Sequence, residues 1–86
     1  MRECFEKLQK YLRDNNVNGE CDWSSSIFSV NIKWGDWKHD HLRCDYLVEE
    51  FAKENHREIT FKKTNLTEED GSDCYSAKHF YVFGEA

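Results

Sequence analysis

The chain has 86 residues, enough for one small domain around a single core and too few for two. Hydrophobic residues make up 38% and charged residues 34%, so the core must come from few side chains, many of them among six phenylalanines, four tyrosines and three tryptophans; this is a globular and not a disordered composition. The formal net charge is −5, and residues 64–86 hold five acids (Glu68, Glu69, Asp70, Asp73 and Glu85) against the single base Lys78. That balance excludes bulk attraction to nucleic acid or anionic lipid, which needs a surplus of Lys and Arg on one face.

From Cys4 the apolar residues Cys4, Phe5, Leu8, Tyr11 and Leu12 recur at spacings of three and four and close in Asp14-Asn15-Asn16, which predicts an amphipathic helix. Asn18-Gly19 is a turn signal, and residues 20–23 form a short candidate strand before three serines. Residues 27–34 alternate, with Phe28, Val30, Ile32 and Trp34 on one side and Ser29, Asn31 and Lys33 on the other; Ile27 is the apolar residue out of step. Gly35-Asp36 breaks the strand, with Asp36 placed to cap a helix that runs to about Asn55. On it Trp37, His41, Cys44, Val48 and Phe51 share one stripe, with Leu47 beside them.

Residues 57–63 alternate again, Ile59 and Phe61 against Thr60 and Lys62, and residues 74–83 are the longest strand candidate. The intervening 64–73 reads as a loop too short for a crossover helix, so these two strands are expected to form a hairpin. The expected fold is α+β, one domain over 1–86, with two helices on one face of a three- or four-stranded antiparallel sheet in the order α-(β)-β-α-β-β. With the 20–23 strand included, this order is a circular permutation of the split β-α-β pattern.

The densest set of potential ligands is GDWKHDHLRCDY, residues 35–46. Helical geometry places His39 and His41 about 200° apart around the axis, whereas His41 and Cys44 share a face. A zinc site would need Cys74 or His79 to complete that half-site, but five residues apart on a strand those two point to opposite faces. No metal is expected; if any binds, its ligands come from His41, Cys44, Cys74 and His79. The plain role for His41 and Cys44 is a hydrogen-bonded core histidine and a small buried hydrophobe. A nucleophilic Cys74 with His79 or His41 as base is disfavoured by Asp70 and Asp73, because nearby anions raise a thiol pKa. The acidic run 68–73 lacks the alternating ligand spacing of a calcium loop.

What remains is surface. Phe80, Tyr81 and Phe83 lie on both faces of the last strand, so one set is core and the other is an exposed apolar patch unless it is covered. Trp34 and Trp37 flank a strand-to-helix corner, and tryptophan and tyrosine carry much of the energy of interfaces. Glu68, Glu69, Asp70 and Asp73 form an acidic loop suited to a basic partner. Together these residues point to a protein-interaction module, a regulator or inhibitor acting by surface binding, with no enzymatic activity, no cofactor and no nucleic-acid or membrane partner. A homodimer through the last strand is one form it could take. Single-stranded nucleic-acid binding on sheet aromatics is the alternative, and would need Lys33, Arg57, Lys62 and Lys63 gathered on one open face. A small zinc domain is the second alternative. The start, Met1-Arg2-Glu3-Cys4-Phe5-Glu6-Lys7, has no apolar leader core, and four cysteines without C-x-x-C pairing suit reduced thiols; a cytoplasmic location is expected.

Overall fold

A computed structural model of the chain describes residues 2–33, 37–68 and 74–85, with the backbone alone described at Trp37, Thr67, Glu68, Cys74 and Tyr75. The elements are α1 (Arg2–Asp14), β1 (Glu20–Ser24), β2 (Ile27–Ile32), α2 (Trp37–Glu54), β3 (Arg57–Glu68) and β4 (Cys74–Glu85). The fold is α+β, and the four strands form one antiparallel sheet in the order β1-β2-β4-β3. Since β2 and β3 both run antiparallel to β4, they are parallel to each other, and α2 is the crossover between them. That is a split β-α-β unit with β4 inserted in its middle.

Each helix ends for a local reason. Asn16 adopts a left-handed φ of 66°, and the Asn16 and Val17 N–H groups donate back to the Arg13 and Leu12 carbonyls at 3.0 and 2.8 Å. This paired closure satisfies carbonyls that the helix leaves open, and it buries Val17 against the core. At the end of α2, His56 takes the left-handed role with φ 56°. The β1–β2 hairpin turns over Ser25-Ser26, and Ser25 has φ 55°.

The core lies between the helices and one face of the sheet. Phe5, Leu8 and Leu12 of α1 and Cys44, Leu47, Val48 and Phe51 of α2 meet Phe28, Val30 and Ile32 of β2 and Tyr81 and Phe83 of β4. Phe5 is its hub, with ring centroids 5.4 Å from Phe28, 5.7 Å from Phe83 and 6.1 Å from Trp23. Tyr11 and Phe51 join the two helices at 5.6 Å. Gly19 enters β1 where a Cβ would sit 2.6 Å from Val30 Cγ2 and 3.0 Å from the Asn31 carbonyl oxygen, so only glycine lets the backbones approach this closely. Among the described residues, no helix is long and apolar enough to cross a membrane.

Two expectations from the sequence need correction. Residues 64–68, expected as loop, continue β3; Thr64 and Thr67 suit a strand, and the whole stretch finds ladder partners on β4 from His79 to Cys74. Ile59 and Phe61, expected on one face, are on opposite faces. The register slips between them, with Ile59 opposite Phe83 and Phe61 opposite Val82, so Thr60 is the extra residue of a β-bulge. The Thr60 hydroxyl donates to the Val82 carbonyl at 3.2 Å.

Candidate functional site

Both helices cover the same face of the sheet, and among the described residues no element is layered on the other. On that uncovered face the ladder aligns residues in three rows across the strands. Ser24, Ile27, Val82 and Phe61 form the first, Asp22, Ser29, Phe80 and Lys63 the second, and Glu20, Asn31, Lys78 and Asn65 the third. The apolar members gather at one end: Ile27 is 45% exposed and Phe61 54%, with Phe80 and Val82 half-buried between them. A shallow depression is lined by Ile27, Phe61, Lys63, Asn65, Phe80 and Val82.

The two edges of this face carry opposite charge. The β1 edge has Glu20 and Asp22, and the β4–β3 side has Lys78 and Lys63. Lys33 Nζ lies 3.2 Å from Glu20 Oε1, and Lys78 Nζ lies 5.3 Å from the centre of the Phe80 ring, where it screens one side of the patch. No ion pair joins Asp22 or Lys63 to another described residue.

A second cluster, wholly different in character, lies under α2 on the covered face. His79 Nε2 is 3.3 Å from His41 Nδ1, and His79 Nδ1 is 3.1 Å from Thr64 Oγ1 and 3.6 Å from Asp45 Oδ1. The Tyr81 hydroxyl donates to Asp45 Oδ1 at 2.7 Å and lies 3.2 Å from Cys44 Sγ. The chain brings histidines, a carboxylate, a phenol and a thiol together, yet burial sets them against covalent chemistry. Removal from water pushes the Cys44 thiol up to about 12, with the Asp45 charge acting in the same direction and the Tyr81 hydrogen bond against it. Burial likewise raises the Tyr81 phenol and lowers the His79 imidazole. A thiolate nucleophile needs the reverse, so the network fits the role of satisfied polar groups that fix how α2 sits on β3 and β4. In native protein at pH 8, Cys44 is expected to resist iodoacetamide and to be alkylated only after urea unfolding; mass mapping that finds it alkylated in the folded state would contradict this assignment.

The residues singled out from sequence separate accordingly. Tyr81 and Phe83 are core, at 0% and 3% exposure, so they are corrected from partner contacts to packing residues; Phe80 lies on the opposite face, half-buried. His41 and His79 do meet, but the Cys44 thiol is directed to Tyr81, and no three potential ligands among the described residues are grouped to hold a metal. Trp34, Glu69, Asp70 and Asp73 lie outside the described residues, as do the side chains of Trp37, Glu68 and Cys74. Sequence reasoning missed Ile27, Phe61, Lys63 and Asp22 as neighbours on one face. The misfit of Ile27 with the alternation of β2 was the available signal for it. Neither a protein-family model nor a curated protein sequence matches the chain.

Proposed function

We propose that this chain is a protein-interaction module that acts by presenting the uncovered sheet face to another protein, as a regulator or inhibitor, and not by catalysis. The observation that carries the reading is the continuity of Ile27, Phe61, Phe80 and Val82 on that face, with polar and charged residues around them. An apolar centre with a polar rim is the common anatomy of a protein–protein contact. A cytoplasmic setting, in which Cys4, Cys21 and Cys44 stay as the free thiols they are here, suits the same reading.

Single-stranded nucleic-acid binding draws on Phe61 and Phe80 with Lys63 and Lys78, but the supporting cations do not gather. Lys62 turns to the helix side and binds Glu49 at 2.8 Å, Lys33 meets Glu20, and Arg57 is 4.0 Å from Glu85. Glu20 and Asp22 put negative charge on the same face.

The test is capture from host lysate by tagged wild type, by Phe61→Asp on the sheet face and by Leu42→Asp on the exposed side of α2, beside a titration with mixed single-stranded oligonucleotides at two salt concentrations. A protein recovered by wild type and Leu42→Asp and lost with Phe61→Asp is the expected result. Equal recovery by all three, or tight salt-sensitive oligonucleotide binding, would overturn the reading.

A further inference from the structure

We propose that the uncovered sheet face packs against a second copy of this chain, face to face, about a two-fold axis parallel to the strands. The inference rests on the interaction reading above and names its partner. A symmetric contact requires a surface that complements itself, since whatever one copy presents the other must receive. Two simple in-plane axes exist for two stacked sheets, and they have opposite consequences here.

An axis parallel to the strands keeps each row opposite itself but reverses its direction, because β1 then overlies β3 of the other copy and β2 overlies β4. In the first row Ile27 faces Val82 and Ser24 faces Phe61. In the second, Ser29 faces Phe80 and Asp22 faces Lys63. Both phenylalanines therefore meet a serine, the large-against-small pairing that lets two layers interdigitate. The aspartate and lysine that form no ion pair with described residues of their own chain meet each other, twice per dimer. In the third row, Glu20 faces Asn65 and Asn31 faces Lys78.

An axis perpendicular to the strands does the opposite. It sets Asp22 on Asp22 and Lys63 on Lys63, and it places Ile27, Val82 and Phe61 over Asn31, Lys78 and Asn65. Charge repulsion and desolvation of polar groups both disfavour it. The self-complementarity belongs to one arrangement, and it follows from the strand order and register alone.

The alignment of two sheets within about 30° of each other, as in ordinary sandwiches, preserves these pairings to within about a residue at the edges. A four-stranded face of this length is roughly 19 Å by 18 Å, so two of them present about 700 Å² in projection and bury up to about 1,000 Å² once the relief of the side chains is counted. That is the lower end for a specific interface, and the dimer is accordingly expected to be reversible and concentration-dependent.

Sedimentation equilibrium across a range from low to high micromolar, on wild type, Asp22→Lys, Lys63→Asp and the double exchange, decides the matter. Within one chain Asp22 and Lys63 lie three strand spacings apart, about 14 Å, beyond the screening length in physiological salt, so their coupling is expected only between copies. Each single variant creates two like-charge contacts and should weaken self-association about tenfold or more, and the double exchange should recover most of the loss. A urea midpoint within the wild-type range establishes that each variant is folded. Wild type that stays monomeric, singles that associate as wild type does, or a double exchange no better than the singles would each overturn the inference. If the chain is monomeric yet Phe61→Asp still loses a captured protein, the two-fold partner falls and the interaction reading stands; if Phe61→Asp changes neither, both fall.

Discussion

Replacing Phe5 by alanine is expected to cost about 3–5 kcal/mol, the range found for removing a buried aromatic ring. The ring is fully buried and touches three others, Trp23 on β1, Phe28 on β2 and Phe83 on β4, so its loss opens a cavity where α1 meets three of the four strands. A domain of this size has a net stability on the order of 4–13 kcal/mol, so the substitution removes a large share of it. A fall of 12 °C or more in Tm is expected at roughly 4–8 °C per kcal/mol. Phe61→Ala provides the contrast, since the same residue type on the uncovered face should move monomer stability by no more than about 0.5 kcal/mol. Urea unfolding of both variants at low protein concentration, followed by circular dichroism, checks the pair. Equal losses would mean that the two faces of the sheet have been assigned wrongly.

Stability is expected to fall as the pH is lowered through the range below the ordinary histidine pKa of about 6.5, at up to about 1.4 kcal/mol per pH unit from a single group. The group is His79, at 2% exposure. Burial holds its imidazole below the ordinary value; the neighbouring His41 acts in the same direction and the Asp45 carboxylate opposes it, while Thr64 faces it from β3 and Tyr81 stacks beside it on β4. Its folded pKa is depressed, so the unfolded chain takes up a proton first. The stabilising contribution is therefore complete above the unfolded value and is lost as the pH falls toward the folded one. His79→Gln cannot titrate and should show a shallower loss between pH 7 and 5, although it starts from a lower stability. Parallel slopes for the two proteins would show that the His79 imidazole is not held neutral by the fold.

The elements were legible where a local period decided them. Phe28, Val30 and Ile32 alternate because one face of β2 is buried, and the α2 stripe through Cys44, Val48 and Phe51 follows from a helix lying on a sheet. The uncovered face was not legible, for a physical reason: a row across a sheet is built from residues distant in sequence, and only the strand order and register unite them. The bulge at Thr60 illustrates this, since a single extra residue moves Phe61 from the core side to the open side with no change in the alternating pattern that preceded it. Asp45 was missed because it reads as a solvated helix position, yet the Tyr81 hydroxyl reaches it from β4 at 2.7 Å. The aromatics of β4 could be divided into two sets from sequence, but which set faced the helices depended on the side to which α1 and α2 packed.

The most direct test of the account is a dilution series of ¹⁵N-labelled protein from millimolar to low micromolar, followed by amide chemical shifts. Amides that move with concentration should cluster on the rows of the uncovered face, at Ile27–Asn31, Phe61–Asn65 and Lys78–Val82, while those around Leu42 and Tyr46 on the exposed side of α2 stay fixed. Shifts that cluster on α2, or a spectrum unchanged over the whole range, would contradict self-association through this face.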